Sequence, residues 1–545
     1  MGRRLLLVPL IGLVAGAVAP APHYDIVIRH GQVVDGTGRP AFAADVAVKA
    51  GRIVAVGTVT GTGAREIEAR GRLVTPGFID MMDQSGEALL KPGAGENKLR
   101  MGVTTLFAGE AGTPVAAGKI AGYLDTLQRQ GIALNFGTSY SVAQPWIAVI
   151  GDKAGTPSPA QLAQMQAMVA TAMREGVFGV TSALIYPPLS YMDTAVVTAL
   201  ARPAGACGGF YSTHMRDEGK DLVKAIDEAI AIGEGSGTKV EIYHLKAAWK
   251  PLAGQLMPAA LQAIAAARAR GVDVAADMYL YQAGGTGLEI TVPNWVWADG
   301  FDAGLARLRD PAVRQRLKAE VAAGSQPGWS NLVMASGGWD HVMMANAYSL
   351  RWDTYRYRMI GDIARAEGMD PEDVAWDIVL AAAPNRALGL YFQMDEPDIE
   401  LAVKAPFVSI GSDAAATLKY GDFDAIGLPH PRSYGNAVRL IAEYVKRRPV
   451  IDVPTAVRKM TGWPAERMGL ADRGLIKPGM QADLVVLDYA TIDDVADWQH
   501  TTAAPTGIET VIVNGQLAFA DGAMTAARGG QVLRHQCRVK KGDKP

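Results

Sequence analysis

The sequence predicts an α/β protein: a (β/α)8 TIM-like barrel, a small β-sandwich domain built from the N- and C-terminal segments, and a small insertion in the barrel. Three observations support this prediction. Both ends of the chain carry strands of alternating apolar and polar residues, the middle alternates β-rich with Ala-rich helical stretches, and one long segment breaks that alternation. The length of 545 residues fits a barrel with a second domain.

The β-sandwich is predicted from strands near both chain ends. Four segments alternate apolar and polar residues and end in Gly-containing turns: 25–38, 45–57, 474–488 and 510–522. Asn514-Gly515, between two apolar runs, is typical of a two-residue hairpin turn. We therefore assign the sandwich to residues 23–76 and 456–530.

The barrel is assigned to residues 77–455. Ala-rich stretches such as SPAQLAQMQAMVATAMREG (158–176) predict its helices. The segment at about 285–345 is too long for a βα loop and has its own helical pattern, so we expect it to form a small inserted domain or lid. Eight short apolar runs predict the barrel strands, and they end near Gln84, Glu110, Ser141, Tyr186, His214, Lys246, Tyr279 and Asp413.

The first residues have the shape of a secretory signal peptide. Gly2-Arg3-Arg4 precedes an apolar run from Leu5 to about Ala19, which is short for a membrane span. We assign residues 1–22 to the signal and expect a periplasmic or secreted bacterial enzyme, without stable membrane insertion after cleavage. The alternative is an uncleaved tethering helix.

Composition and charge indicate an ordinary globular enzyme. Hydrophobic residues make up 49%, charged residues 20%, and the net charge is −2. No basic stretch is dense enough to follow a nucleic acid backbone, so we expect no nucleic acid partner. A homo-oligomer is compatible with the sequence. Two distant cysteines do not define a disulfide framework, so Cys207 is interpreted as a small buried apolar residue. Residues 531–545 are assigned to a C-terminal tail.

Polar residues at the carboxyl ends of barrel strands are the candidates for chemistry. A lone histidine is more often structural, but His214 and His244 end successive predicted strands and would face the same barrel mouth. Glu110 could complete a His₂Glu zinc site, which leaves one position for water, or it could simply solvate a loop. Asp413 could transfer protons beside the metal, or it could cap the next helix.

Several motifs resemble the D-aminoacylase (N-acyl-D-amino-acid deacylase) family of the amidohydrolase superfamily, over nearly the whole mature chain. The motifs are YSTHMRDEG (211–219), YHLKAAW (243–249), DMYLYQAGGT (277–286), IGSD (410–413) and LPHPRSYG (428–435). The resemblance implies that His214 and His244 bind metal and that Asp413 is the catalytic acid and base. It also implies that Lys246, Tyr279 and Arg432 hold the substrate carboxylate, although each could be structural.

Three departures from the family distinguish this chain. The family's His-x-His metal pair is Met82-Asp83-Gln84 here, its bridging cysteine position is Ala111, next to Glu110, and a serine of its carboxylate pocket is Gly285. Methionine thioether and glutamine are poor zinc ligands, so we expect one Zn²⁺ on Glu110, His214 and His244. Gln84 is expected to hydrogen-bond substrate or water. Because Glu110 is shifted by one position, it must be turned inward by the backbone near Gly109.

We expect the reaction to be hydrolysis of the amide bond of an N-acyl amino acid. A water activated by the single metal would attack the acyl carbonyl, and Asp413 would carry the proton to the leaving amine. The alternatives are the same chemistry on a dipeptide, a cyclic amide or an acylated xenobiotic. An inactive binding protein of the same fold is a further alternative, which the loss of His-x-His motivates.

Overall fold

The computed structural model describes residues 23–418, 420 and 430–537. The predicted signal peptide, the first two residues of LPHPRSYG and the last eight residues lie outside the described residues. The fold has three parts: a barrel, a sheet made from both chain ends, and an insertion at the barrel mouth.

Parallel strands close into an eight-stranded barrel, as the sequence predicts. Neighbouring strands pair in parallel throughout, and a parallel bridge between Asp83 and Ala414 joins the first strand to the segment after the last. The third strand is interrupted at Ser139. The barrel strands are Phe78–Asp83, Val103–Ala108, Asn135–Thr138 with Tyr140–Ser141, Gly179–Ala183, Phe210–His214, Lys239–Ile242, Val274–Met278 and Val408–Ile410.

Helices cover the outside of the barrel and bury one apolar face against it. Helix Pro159–Arg174 shows why the sequence folds this way. Ser158 caps its first turn by accepting from the Gln161 backbone N–H, while the Gln161 side chain caps Ser158 in return. The outer helices are Glu96–Arg100, Ile120–Gln130, Ala143–Val149, Pro159–Arg174, Thr194–Ala206, Leu222–Ser236, Leu256–Ala269, Glu396–Lys404, Arg432–Ile441, Val453–Met460 and Gly462–Met468.

The two chain ends form one nine-stranded sheet with a shared core. Asn514 and Gly515 both have positive φ, as the predicted two-residue hairpin turn requires, and Val513 pairs with Gln516 across it. The strands are His23–Val33, Phe42–Lys49, Arg52–Gly57, Thr62–Glu68, Leu73–Pro76, Leu484–Leu487, Ile508–Val513, Gln516–Ala520 and Ala523–Met524.

The insertion is longer than the predicted range of about 285–345. It is built on a four-stranded sheet whose last strand, Leu388–Phe392, pairs with its first strand, Ala283–Gly287, so the unit cannot end before residue 392. It has its own apolar core. Its other strands are Val342–Asn346 and Arg358–Met359, and its helices are Phe301–Arg309, Pro311–Ala323, Leu332–Ser336, Ile360–Glu367 and Pro371–Ala382.

The C-terminal segment is not a free tail up to residue 537. Its backbone pairs with the start of the third barrel strand, where Phe136 N donates to Gln531 O and Leu533 N donates to Phe136 O. Cys537 forms a disulfide with Cys207, so the interpretation of Cys207 as an apolar thiol is wrong. Among the described residues, no helix is both long and apolar enough to cross a membrane.

Candidate active site

The three predicted metal-binding side chains meet at the barrel mouth. One ligand atom each from Glu110, His214 and His244 lies within 4.8 Å of the other two. Nδ1 of His214 is 3.2 Å from Glu110 Oε2, and Nε2 of His244 is 4.0 Å from Glu110 Oε1. The two imidazoles end the fifth barrel strand and follow the sixth, which brings them side by side.

A turn aims Glu110 into the site. Glu110 follows the second strand rather than belonging to it, and the turn closes where Gly112 N donates to Gly109 O at 2.8 Å. Gly112 has a φ of +63°, and a Cβ there would meet the Ser139 carbonyl at 2.7 Å, so this position requires glycine. The inward orientation that the sequence required near Gly109 thus comes from this turn.

The donor set fits a divalent metal ion. Glu110 Oε2 and both ring nitrogens of His214 are buried and have no partner of hydrogen-bond geometry within the described part of the chain. Two ligands bound to one zinc at 2.0–2.2 Å in tetrahedral geometry would be roughly 3.3–3.6 Å apart. The observed separations of 3.2 and 4.0 Å bracket that value, so the three side chains converge on a common point.

Glu218 supports both histidines from behind, and sequence reasoning missed it. Its carboxylate lies 2.9 Å from His244 Nδ1 and 3.3 Å from His214 Nε2, the ring nitrogens that face away from Glu110. A carboxylate in this position fixes the orientation and tautomer of a metal-binding histidine. Glu218 lies within the YSTHMRDEG motif, four residues after His214, but a loop rather than a helix brings it there.

The charges of this cluster set the pKa values of the histidines in opposite directions. Burial disfavours the charged form of His214, but Glu218 and Glu110 outweigh it and raise the pKa of that imidazole to about 9. Burial and the neighbouring Lys246 ammonium lower the pKa of His244 to about 4. A metal ligand must be neutral, so a divalent ion bound here would disfavour the charged form of both imidazoles.

Lys246 is already engaged by protein groups. Its ammonium donates to Glu218 Oε1 at 2.6 Å and to the His244 carbonyl at 3.0 Å, and it lies 2.6 Å from His244 Nδ1. The structure thus places Lys246 beside the metal-binding histidines. Its predicted role as a carboxylate anchor would require it to leave one of these partners.

Asp413 and Gln84 form a second polar group facing the same cavity. The Gln84 amide donates to Asp413 Oδ1 at 3.2 Å and lies 3.5 Å from Glu110 Oε1, so one side chain links the two carboxylates. Met82, by contrast, is fully buried and packs against Gly109. At the two positions of the family's His-x-His, the chain thus has a packing residue and a hydrogen-bonding amide.

Backbone strain marks two of the candidate residues. His244 has a φ of +38° and Asp413 a φ of +49°, which non-glycine residues rarely adopt. Each is held by a backbone hydrogen bond: His244 N donates to Asp277 Oδ1, and Asp413 N donates to Met82 O, both at 2.8 Å.

A buried ion cluster, which we call the Lys98 cluster (Asp80, Asp83, Lys98 and Ser412), lies beneath Asp413. The Lys98 ammonium is 2.9 Å from Asp80 and 2.8 Å from Asp83, and it donates to Ser412 Oγ at 2.7 Å. Ser412 in turn donates to Asp80 from both its backbone N–H and its hydroxyl. The cluster joins the end of the first strand to the segment that carries Asp413.

Arg432 and Tyr279 present unsatisfied donors on the side of the cavity next to Asp413. Nη2 of Arg432 pairs with Asp413 Oδ2 at 2.9 Å, and its guanidinium stacks on the Tyr279 ring at 4.5 Å. Nε and Nη1 of Arg432 and the Tyr279 hydroxyl are buried, with no hydrogen-bond partner in the described ranges. Such donors suit a carboxylate. A Cβ on Gly285 would lie 3.8 Å from Arg432 Nη2, so the family's serine would also reach this point.

The predicted site residues border one cavity of about 630 Å³ between the barrel mouth and the insertion, whereas Met82 and the Lys98 cluster are not part of its lining. It contains the predicted residues Gln84, Glu110, His214, His244, Lys246, Tyr279, Asp413 and Arg432. A His₂Glu cluster at the carboxyl ends of barrel strands, with an acid beside it, is the site of a metal-assisted hydrolase.

Comparisons with known proteins specify the family. The "Amidohydrolase family" model matches residues 65–519. An N-acyl-D-glutamate deacylase of Alcaligenes xylosoxydans xylosoxydans is 30% identical over 94% of this chain and 97% of its own length. The chain therefore belongs to the amidohydrolase family and is a hydrolase, and the predicted resemblance and fold class are confirmed.

Two solved structures support the same family assignment. A D-aminoacylase, described by its binuclear metal centre with one-metal activation and second-metal attenuation, has 30% identity and a TM-score of 0.78. An N-acyl-D-glutamate deacylase from Bordetella bronchiseptica, in complex with zinc and a phosphonate mimic of the tetrahedral intermediate, has 28% identity and a TM-score of 0.77. Each alignment covers 94% of this chain and all of the other.

Proposed function

We propose that this enzyme hydrolyses the linear amide bond of N-acyl amino acids, with one divalent metal ion, zinc, held by Glu110, His214 and His244. The observation that carries the proposal is the pairing of two unsatisfied groups in one cavity. The His₂Glu cluster has ligand atoms that lack partners, and Arg432 and Tyr279 have donors that lack partners. A metal and a carboxylate would satisfy both.

The chain's own residues divide the work of hydrolysis. When bound, the ion supplies Lewis-acid chemistry at the water and the acyl carbonyl. Asp413 accepts a proton from the attacking water and returns it to the nitrogen of the leaving amine. The C–N bond is thereby cleaved into a carboxylic acid and an amine, and neither product leaves as an unstable amide anion. Arg432 and Tyr279 hold the carboxylate of the amine half, and the Gln84 amide keeps Asp413 oriented towards the water.

The residues at the first strand support a single ion. A second ion would need ligands at Met82 and Gln84, which are a buried thioether and an amide that already donates to Asp413. The D-aminoacylase neighbour is described as activated by one metal and attenuated by a second. This chain would retain the activating site alone.

Export of the enzyme from the cytoplasm is part of the proposal. The basic and apolar pattern of residues 1–22 supports it, and so does the Cys207–Cys537 disulfide, because disulfides persist mainly in oxidising compartments.

A substrate screen with a matched variant tests the function. The purified enzyme, loaded with one equivalent of zinc, is offered N-acyl amino acids of both hands, an N-acyl amino acid amide without the free carboxylate, a dipeptide and a cyclic amide. We expect N-acyl amino acids of one hand to be hydrolysed best. Asp413→Asn preserves the shape of the side chain and should retain zinc but lose about 10²–10⁴-fold in kcat. Zinc binding without hydrolysis of any compound would instead indicate a binding protein.

A further inference from the structure

We infer that the part of the cavity bordered by the third and fourth barrel strands is a subsite for a long apolar acyl chain, so that the enzyme prefers medium- or long-chain N-acyl amino acids over N-acetyl ones. This inference rests on the proposed function and specifies its substrate class. The evidence for the subsite is the position and the apolar chemistry of the residues that follow these two strands, relative to the metal cluster and the carboxylate donors.

In the barrel, the residues that follow the third and fourth strands lie opposite the carboxylate donors. Tyr279 follows the seventh strand, and Arg432 begins a helix after the eighth. In a ring of eight strands, the third and fourth lie directly across from the seventh and eighth. The metal-binding residues lie at the carboxyl ends of the second, fifth and sixth strands, so they stand between the two sides.

The geometry of an amide then assigns each side to one half of the substrate. A secondary amide is planar and trans, so the acyl chain and the amine-side carbon leave the carbonyl in opposite directions. With the carbonyl at the metal cluster and the carboxylate on Arg432, the acyl chain must point towards the third and fourth strands. The side chain of the amino acid branches from the amine half instead, and it faces the insertion.

The chemistry of this wall suits a hydrocarbon chain. Apolar side chains that follow the third and fourth strands border the cavity there, and we call them the acyl wall: Ala143, Ile147, Ile185, Pro187 and Leu189. The polar Ser141 and Gln144 border the same part of the cavity. Ile185 and Leu189 are each 4% exposed, whereas Ile147 is 47% exposed and lies at the rim. Tyr186 connects the wall to the metal cluster, because its ring packs edge-on against His214 with centroids 5.1 Å apart.

The whole cavity, which both halves of the substrate share, has room for a molecule larger than an N-acetyl amino acid. A cavity of about 630 Å³ is in the range of roughly 300–1,000 Å³ that accommodates drug-sized ligands. Each methylene that leaves water against the acyl wall should improve binding about three- to fourfold.

A chain-length series tests the inference. N-acetyl, N-butyryl, N-hexanoyl, N-octanoyl and N-lauroyl derivatives of one amino acid are compared by kcat/KM on the zinc enzyme. Their Kd is measured by calorimetry on zinc-loaded Asp413→Asn. We expect kcat/KM and affinity to rise together, at least tenfold from acetyl to octanoyl. A flat or falling affinity with length overturns the subsite, whether or not turnover is seen.

Two wall variants localise the effect. Ala143→Phe fills the acyl wall, and Ile147→Asp places a charge at its rim. Both should abolish the gain in affinity and in kcat/KM that the unmodified enzyme shows with chain length. Leu350→Asp is the matched control, because Leu350 is 98% exposed and does not border the cavity.

The outcomes separate the inference from the proposed function. If no N-acyl amino acid is hydrolysed but affinity rises with chain length, the proposed function fails and the subsite stands. If N-acetyl substrates are hydrolysed and longer chains neither bind nor react better, the function stands and the subsite fails. If Ala143→Phe changes the preference among amino acid side chains rather than among acyl chains, the wall serves the amine half and the assignment is wrong.

Discussion

Replacement of Lys98 by methionine should remove most of the turnover without removing the metal. The Lys98 ammonium is fully buried and contacts Asp80, Asp83, Ser412 and the Ala414 carbonyl at 2.7–2.9 Å. It thereby ties the first barrel strand to the segment that carries Asp413. None of these contacts involves a metal-binding residue.

The size of the effect follows from the geometry. Methionine keeps the length of the side chain but leaves two buried carboxylates without their cation, which should lower the free energy of unfolding by about 3–5 kcal/mol. Mutual repulsion of Asp80 and Asp83 would then displace the segment from Ser412 to Ala414. Displacement of a catalytic group by about 1 Å can lower the rate by about 10²-fold, and we expect kcat to fall by about that factor.

Lys459, in helix Val453–Met460, offers a matched control because its ammonium contacts the eighth strand from the other end. Lys459 is also buried, but its ammonium donates to the carbonyls of Ala405 and Val408, at the opposite end of the eighth strand from Asp413. Lys459→Met should therefore change stability and leave kcat within about twofold. Ser412→Ala, which removes one link of the Lys98 cluster at lower risk to folding, should lower kcat about tenfold.

The assay combines kcat, KM, bound zinc and denaturant unfolding for all three variants. A positioning role predicts a fall in kcat with normal KM and normal zinc for Lys98→Met and Ser412→Ala only. If both variants fold and turn over within twofold of the wild type, the Lys98 cluster does not position Asp413. An equal fall in kcat in Lys459→Met would show that the effect of Lys98→Met is only general destabilisation.

Three other predictions concern metal affinity, pH and the disulfide. Glu218→Gln should weaken zinc binding about 10–100-fold in competition with a chelator, because it removes the charge behind both histidines, and saturating zinc should restore most activity. Burial lowers the pKa of Lys459 to about 8, below its ordinary value of 10.5, so the unfolded chain binds more protons between these values and stability should rise with pH there. The slope, up to about 1.4 kcal/mol per pH unit, should disappear in Lys459→Met when urea midpoints are compared at pH 7.5 and 9.5. Cys207→Ser opens a disulfide that spans 330 residues and should lower stability by about 2–5 kcal/mol in urea unfolding, with kcat unchanged. An unchanged unfolding midpoint would show that contacts of the C-terminal segment alone hold it to the barrel.

The residues at strand ends could be predicted because their position follows from local sequence. An apolar run predicts a strand, its carboxyl end faces the barrel mouth, and His214, His244 and Asp413 follow such runs. The Asn514-Gly515 hairpin was predictable for a similar reason, since only residues that tolerate positive φ fit that turn.

The features that escaped prediction depend on contacts between distant segments. Glu218 lies in a loop without periodicity, so only the fold shows that its carboxylate touches both histidines. The insertion extends past its predicted end because Leu388–Phe392 pairs with a strand about 100 residues earlier. Cys207 and Cys537 are 330 residues apart, and their pairing depends on how the C-terminal segment crosses the barrel.

Titration of the metal-free enzyme with zinc tests whether one ion on Glu110, His214 and His244 supports hydrolysis. Bound zinc, measured by elemental analysis after dialysis, and the rate of hydrolysis are followed in the same samples. We expect both to rise together and to level off at about one ion per chain. Glu110→Ala should lose zinc on dialysis, and excess zinc should restore part of its activity. Saturation at two ions per chain, or normal zinc in Glu110→Ala, would contradict it.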